Sequence, residues 1–244
     1  MRQFDSAFLP AVSETIESNP RPKFLTVCST FRETLFQLFQ HRRYIRMSII
    51  FGTPDADTII ANNEDNFIFG LGGNDIIDAR DGNDFAFGGD GDDTIFGQNQ
   101  DDVVVGGNGN DTLYGGDGSD KLFGGHGNDT LFGDNEDDML FGGNGNDFLS
   151  GGLGDDMLAG GRGSDVLSGD AGNDIFVFNL NTDGTDVDTV IGFKAGEDKL
   201  LIQGAAPNAE VKYNSDTGIL SVGGQDVFQL DPGLHISDDD YFIA

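Results

Sequence analysis

The chain has 244 residues, with 13 basic side chains against 43 acidic ones and a formal charge of −30 at pH 7. Such a field repels phosphate and recruits cations, which excludes nucleic acid and anionic membrane surfaces as partners. A single cysteine, Cys28, excludes a disulfide scaffold and a cysteine-built zinc site, and no apolar run approaches the ~18 residues of a transmembrane segment.

The charge is unevenly spread along the chain. Residues 1–46 hold seven Lys/Arg and four Asp/Glu, a net of +3; subtraction leaves six basic and 39 acidic residues in 47–244, a net of −33. The stretch "FRETLFQLFQHRRYIR" (31–46) reads as an amphipathic basic helix with Phe31, Leu35, Leu38 and Phe39 on one face. It has no continuous apolar core of the kind a secretory signal needs. Residues 1–46 are expected to be poorly ordered or short-helical, or to lie upstream of the true start, because "MSIIFGTPDADT" from Met47 opens a strand at once.

From Gly52 to Val177 the chain repeats every nine residues, 14 blocks without a break. The sixth position is Asp in 13 blocks: Asp57, Asp75, Asp84, Asp93, Asp102, Asp111, Asp120, Asp129, Asp138, Asp147, Asp156, Asp165 and Asp174, with Asn66 the exception. The eighth is large and apolar in every block but that of Ala86, and the first is Gly in 12 blocks and Ala in two, Ala61 and Ala79. Positions seven to nine are a minimal strand, its middle side chain pointing inward. Positions one to six form a turn in which Gly permits φ > 0 and lets carbonyls converge. One inward aliphatic residue per block makes no core alone; stacked blocks make a ladder, as in solenoids.

Stacking also aligns the aspartates in columns, where each carboxylate raises the pKa of the next or pushes the chain apart unless a cation lies between them. Carboxylates and carbonyls, with no nearby cysteine and almost no histidine, suit a hard divalent ion. Many oxygens on a flexible loop favour Ca²⁺ over Mg²⁺. The candidate ligands are the 13 aspartates, with backbone carbonyls near Gly107, Gly109, Gly116, Gly118, Gly125, Gly127, Gly143 and Gly145.

These blocks resemble the GGxGxDxUx nonapeptide of RTX (repeats-in-toxin, haemolysin-type) calcium-binding proteins, over about half the chain. The resemblance implies an all-β fold: a parallel β-roll over 47–177 with two nonapeptides per turn, then a small C-terminal β region at 178–244. Blocks n and n+2 would share an ion, so Asp111 and Asp129 would flank one and Asp120 and Asp138 another. Six gaps on each edge set a ceiling of about 12 ions, or about +24 of charge against the −33 of residues 47–244.

A longer period lies inside the short one. Glu64, Gln100 and Glu136 replace the Gly of position four at 36-residue intervals, and Asn62, Gln98, Asp134 and Asp170 mark position two. These blocks are all even-numbered and fall on one edge of a roll. Either the odd edge, through Asp75, Asp93, Asp111, Asp129, Asp147 and Asp165, carries the more complete ion column, or Glu and Gln side chains restore the lost geometry and both columns fill. Outward positions also sort by parity. Even blocks show Phe67, Phe69, Phe85, Phe87, Val103, Val105, Phe123, Met139, Phe141, Met157, Ile175 and Val177, with Lys121 the one charge. An apolar outer face calls for cover, from the C-terminal region or residues 1–46, or from self-association or another partner.

Beyond Val177 the nine-residue register is lost. "TDVDTVIGFKAGEDKLLIQG" (185–204) alternates apolar and polar residues, and further strands are expected at 210–214, 218–223 and 226–230. The segment resembles the region that follows the repeats in serralysin-type secreted proteases, a D-x-[IV]-x-x-F-x-x-G-x-D-K pattern met by Asp188, Val190, Phe193, Gly196, Asp198 and Lys199. Gly192 stands where that family has Asp. The tail "DDDYFIA" resembles the uncleaved signal read by type I secretion machinery.

No catalytic residues are identified. His41, His126 and His235 fall one to a region, with His126 at a solvated turn position. Catalytic carboxylate pairs need unlike environments, whereas a periodic array gives each aspartate the same one. About 50 residues precede the repeats, too few for the protease, lipase, epimerase or pore-forming domains that RTX repeats accompany. The sequence therefore reads as a non-enzymatic, secreted calcium-binding protein, extracellular or at the cell surface, whose repeats fold on meeting Ca²⁺. The alternative is an adhesion or matrix module that binds a glycan or protein through the apolar face of the roll.

Overall fold

The computed structural model describes residues 47–181, 186–206 and 208–244; the expectations for residues 1–46 lie outside the described residues. All regular structure described is β-strand. The first seven strands are β1 (Ser48–Phe51), β2 (Thr58–Ile60), β3 (Asn66–Gly72), β4 (Ile76–Asp78), β5 (Phe85–Asp90), β6 (Thr94–Asn99) and β7 (Val103–Asn108). Next come β8 (Thr112–Asp117), β9 (Lys121–His126), β10 (Thr130–Asn135), β11 (Met139–Asn144), β12 (Phe148–Leu153), β13 (Met157–Arg162) and β14 (Val166–Ala171). The last seven are β15 (Ile175–Asn179), β16 (Asp188–Ile191), β17 (Lys199–Gln203), β18 (Val211–Asn214), β19 (Ile219–Val222), β20 (Gln225–Gln229) and β21 (Tyr241–Ile243).

From β1 to β17 consecutive strands enter different sheets, and each up to β15 pairs in parallel with the strand two places on; β18, β19 and β20 then form an antiparallel meander. Thr112, Leu113 and Tyr114 face Thr130, Leu131 and Phe132, a register of 18 residues or two blocks. Even blocks build a ten-stranded sheet from β1 to β21, and odd blocks build an eleven-stranded sheet from β2 to the β18–β20 meander. This is the parallel β-roll. Its strands run longer than positions seven to nine, because β8, for instance, continues through the Gly115-Gly116 pair of the following block.

The inward residue of each block is buried without exception, from Ile59 through Leu113 and Leu131 to Phe176. Each sheet thus contributes one aliphatic ladder, and the core is a single file of contacts between them. Past Val177 both ladders continue: Leu167 pairs with Val190, and Phe176 with Leu200. The cores of the last turns are bulkier. Phe178 packs edge-on against Phe228 at 5.6 Å, and Phe176 tilts against Phe193 at 6.1 Å.

Outward side chains also form files. On the odd sheet Phe96, Tyr114 and Phe132 stack at 4.9 and 5.1 Å; on the even sheet Phe123 and Phe141 stack at 5.1 Å. The even-face aromatics are half-buried by such neighbours, while Ile60, Ile76, Phe148 and Ile191, all on odd-sheet strands, are among the most exposed large apolar residues. The C-terminal strands do not lie across an outer face; β16 to β21 enter the two sheets as further members.

Candidate metal centre

Each block turns at its first six residues, and three glycines there answer to two different demands. From Leu71 to Gly172 every second and fourth position has positive φ, for example Gly107 at 125° and Gly109 at 133°. Gln98, Gln100, Asp134 and Glu136 hold φ between 75° and 87°, so the atypical blocks 6 and 10 keep the turn despite carrying side chains. The first-position glycine has ordinary φ and is required for space. A Cβ on Gly124 would collide with Asp129 Oδ2 and lie 2.5 Å from Gly142 O. Along the stack, Gly109 O occupies the place of a Cβ on Gly127, and Gly127 O that of one on Gly145, so the fourth positions stack in a column of their own.

The sixth-position aspartate closes the turn. Its Oδ1 accepts the backbone N–H of the aspartate two blocks earlier: Asp93 donates to Asp111 at 2.8 Å, Asp111 to Asp129 at 2.8 Å, and Asp129 to Asp147 at 2.8 Å. The even edge repeats this, Asp102 to Asp120 at 2.7 Å and Asp120 to Asp138 at 2.8 Å. Two carboxylate columns result, and the turns bring Asp75 through Asp174 into them, nearly all at 0–2% exposure and Asp84 at 4%. Asp57, at the open end of the odd column, is half-buried, and its Oδ2 accepts from Thr53 N (2.6 Å) and Oγ1 (2.9 Å).

The second oxygen of the interior members has a different fate. Oδ2 of Asp75, Asp84, Asp93, Asp102, Asp111, Asp120, Asp129, Asp138, Asp147, Asp156 and Asp174 is buried and meets no hydrogen-bond donor. A buried carboxylate oxygen without a donor costs several kcal/mol as an ion, on the order of 2–7 even for neutral polar groups. Burial accordingly pushes the carboxyl pKa up, to about 8 for Asp102 and Asp138, about 7 for Asp111, Asp120, Asp147 and Asp156, and about 6 for Asp84 and Asp93. The backbone N–H on Oδ1 opposes this shift, and neighbouring carboxylates add to it. Asp75, Asp129 and Asp174 shift the same way.

The donor set fits a hard cation. Among the described residues no three His, Cys, Asp or Glu side chains converge, so a cation here would draw on a column carboxylate and backbone oxygens. Only oxygen is offered, which suits Ca²⁺ and not zinc or copper. The column aspartates and the turn carbonyls are the residues that would hold calcium, which would supply the positive charge the buried Oδ2 atoms lack.

Two sets of residues escaped the sequence reading. Asp188 and Asp198 extend the columns, accepting from Asp165 N and Asp174 N at 3.1 Å each, across 23 and 24 residues instead of 18. Their place in the 185–204 pattern was the available signal. Position five, Asn or Asp in 11 blocks, forms an exposed ladder in which Asn128 N donates to Asn110 Oδ1 (2.9 Å) and Asn146 N to Asn128 Oδ1 (2.7 Å). That recurrence was visible in the "GND" triplets. His126 lies in a neighbouring ladder at position three, its Nδ1 2.7 Å from Asn144 Nδ2.

No curated protein sequence matches the chain. Solved structures similar to it include the extracellular lipase LipA from Serratia marcescens, 20% identical with a TM-score of 0.39, covering 83% of this chain and 41% of the lipase. Another is a subunit of the Azotobacter vinelandii mannuronan C5-epimerase, 23% identical with a TM-score of 0.24, covering 60% of this chain and 80% of that one. The chain thus spans less than half the length of the lipase. The model of the RTX calcium-binding nonapeptide repeat matches at 51–86, 79–113, 105–140, 114–149, 141–176 and 150–184. Matched over more than half its length, the chain belongs to the RTX calcium-binding nonapeptide repeat family.

Proposed function

We propose that this chain is a secreted, non-catalytic calcium-binding protein whose roll folds when several Ca²⁺ ions enter the aspartate columns outside the cell. The observation that carries the reading is the file of buried Oδ2 atoms without donors. At neutral pH those atoms need positive charge, and the chain has too little of its own: six basic residues stand against 39 acidic ones in 47–244. The ligands are the column aspartates, Asp57 through Asp174, with carbonyls near Gly107, Gly109, Gly116, Gly118, Gly125, Gly127, Gly143 and Gly145. Ion binding then becomes folding free energy. Where calcium is scarce the acidic chain stays expanded, a state suited to export by a type I system that reads the C-terminal tail. The organisation that follows is an N-terminal segment at 1–46, the roll at 47–177 and a C-terminal β region at 178–244, the last akin to that of serralysin-type proteins.

Circular dichroism during calcium titration of chelated protein, with bound ions counted, tests the reading. A β spectrum should rise with calcium, and several ions, up to about 12, should be retained; a spectrum indifferent to chelator refutes it. The stacked outer aromatics favour one second reading, an adhesion or matrix module. Glycan arrays with Phe85, Phe87 and Phe141 changed to Ser should lose signal if it is right.

A further inference from the structure

The even column does not begin with an aspartate. Asn66 stands at its head, 1% exposed, and its backbone N–H donates to Asp84 Oδ1 at 2.6 Å as an aspartate's would. Its side chain does something no other column member does. Nδ2 donates to Glu64 O, to Asn62 O at 3.2 Å and to Asp84 Oδ1 at 3.1 Å. A single polarised NH₂ group therefore gathers the second- and fourth-position carbonyls of its own turn together with the carboxylate of the turn above. These are oxygens of the types expected to surround a cation elsewhere in the column. Exchanging Nδ2 with Oδ1 would set an oxygen against two carbonyls, so the bonding fixes the amide's orientation.

Positions two and four have positive φ in every block from 3 to 14, whereas the first two turns, with Thr53 and Asp55 in block 1 and Asn62 and Glu64 in block 2, do not. The turn of block 2 points its carbonyls at an amide. The same economy recurs at other column ends. Asp57 Oδ2 accepts from Thr53, and Asp198, which ends the even column, has its Oδ2 bound by Lys194 N at 2.7 Å. Oδ2 of Asp75 through Asp156 meets no donor, whereas these two terminal carboxylates are supplied from within the chain; at Asn66 the Nδ2 group does the donating and Oδ1 is left buried without a hydrogen-bond partner.

We infer that the Asn66 amide replaces a calcium ion at the first position of the even column, so that the step between blocks 2 and 4 closes without metal. This rests on the calcium reading above and lowers the ceiling of ion sites by one. It also gives the roll a metal-independent end against which the first ion-bound turn can stack.

The test counts ions per full-length chain after equilibrium dialysis against saturating calcium. Restoring the repeat motif with Asn62→Gly, Glu64→Gly and Asn66→Asp should raise the count by one. Asn66→Ala, which removes the amide and offers no new ligand, should leave the count unchanged and lower Tm at saturating calcium by about 3 °C or more. A triple variant that folds with the wild-type count overturns the inference, as does an Asn66→Ala chain that loses one ion. A wild-type count of zero sinks the calcium reading and this inference with it; a wild-type count of several ions with no increment in the triple variant sinks this inference alone.

Discussion

Stripping the ions at different pH values gives the sharpest test of the electrostatic argument. The aspartates from Asp75 to Asp156, and Asp174, have a higher pKa in the fold than the ordinary 3.8, so the metal-free fold binds protons more tightly than the unfolded chain does. Its contribution to stability is therefore present below about pH 4 and is lost as pH rises through about 6 to 8, the reverse of a salt-bridged carboxylate. Ionising a group lifted from 3.8 to about 7 costs about 4 kcal/mol at neutral pH, and one lifted to about 6 costs about 3. Water entering beside the turns screens part of this, and half is a reasonable allowance. Eight such groups then oppose folding by roughly 15 kcal/mol, the top of the ~5–15 kcal/mol that holds a domain together. Metal-stripped protein should accordingly lack β signal at pH 7.5 and regain it toward pH 5, above the isoelectric point of 4.1. With calcium present the order reverses, since protons compete with the ion for the same oxygens. Far-UV circular dichroism in metal-free buffers across pH 5–8 reads both arms. A metal-free chain that is ordered at pH 7.5, or that gains order as pH rises, would refute the reasoning.

Two substitutions separate charge from space. Asp129→Asn keeps an acceptor for the Asp111 N–H but removes the charge of Oδ2; it should cost roughly 2 kcal/mol, seen as a Tm lower by about 4–8 °C at saturating calcium, with one or two fewer ions bound. Gly124→Ala leaves every ligand side chain in place but sets a methyl against Asp129 Oδ2 and 2.5 Å from Gly142 O. It should raise the calcium concentration at the folding midpoint and cost about 1–3 kcal/mol in calcium-saturated melts. Wild-type behaviour of Gly124→Ala would mean that the first glycine is there for its flexibility and not for space.

Much of this architecture was legible because the repeat is exact enough to count. A two-block register of 18 residues follows from nine-residue blocks with one inward side chain each, and Leu113 over Leu131 is its direct consequence. The aspartate columns were legible for the same reason. Their bonding was not: nothing in the spacing says that Oδ1 is committed to a backbone N–H while Oδ2 is left over, because that depends on which carboxylate oxygen faces the turn below. The outer faces were misjudged in emphasis. Counting apolar residues singled out the even sheet, but stacked files such as Phe123 on Phe141 shelter one another, whereas isolated Ile60 and Ile76 of the odd sheet lie more open.

The ends show why period and fold are different things. Past Val177 the nine-residue register disappears, yet Ile175 pairs with Lys199 and Val166 with Thr189 as though it had continued. What persists is the requirement beneath the period: an aspartate whose Oδ1 caps the turn below, then an inward apolar residue to extend the ladder. Asp188 with Val190 and Asp198 with Leu200 meet it across connections of 23 and 24 residues. A stack of this kind is one-dimensional, each block bonding chiefly to the blocks two places away, so its interior can repeat indefinitely while each end needs a separate solution. At the C-terminal end, Phe178, Phe193 and Phe228 add a bulkier core, and the Lys194 backbone supplies a donor to the last aspartate of the even column. At the N-terminal end, where among the described residues β1 contributes the half-buried Ile50 to the core, the sequence departs from its own motif in "ANNEDN". An array whose interior leaves a carboxylate oxygen orphaned in most blocks gains from a neutral donor at its first step, since the Asn66 amide gathers the oxygens of two successive turns without adding a negative charge.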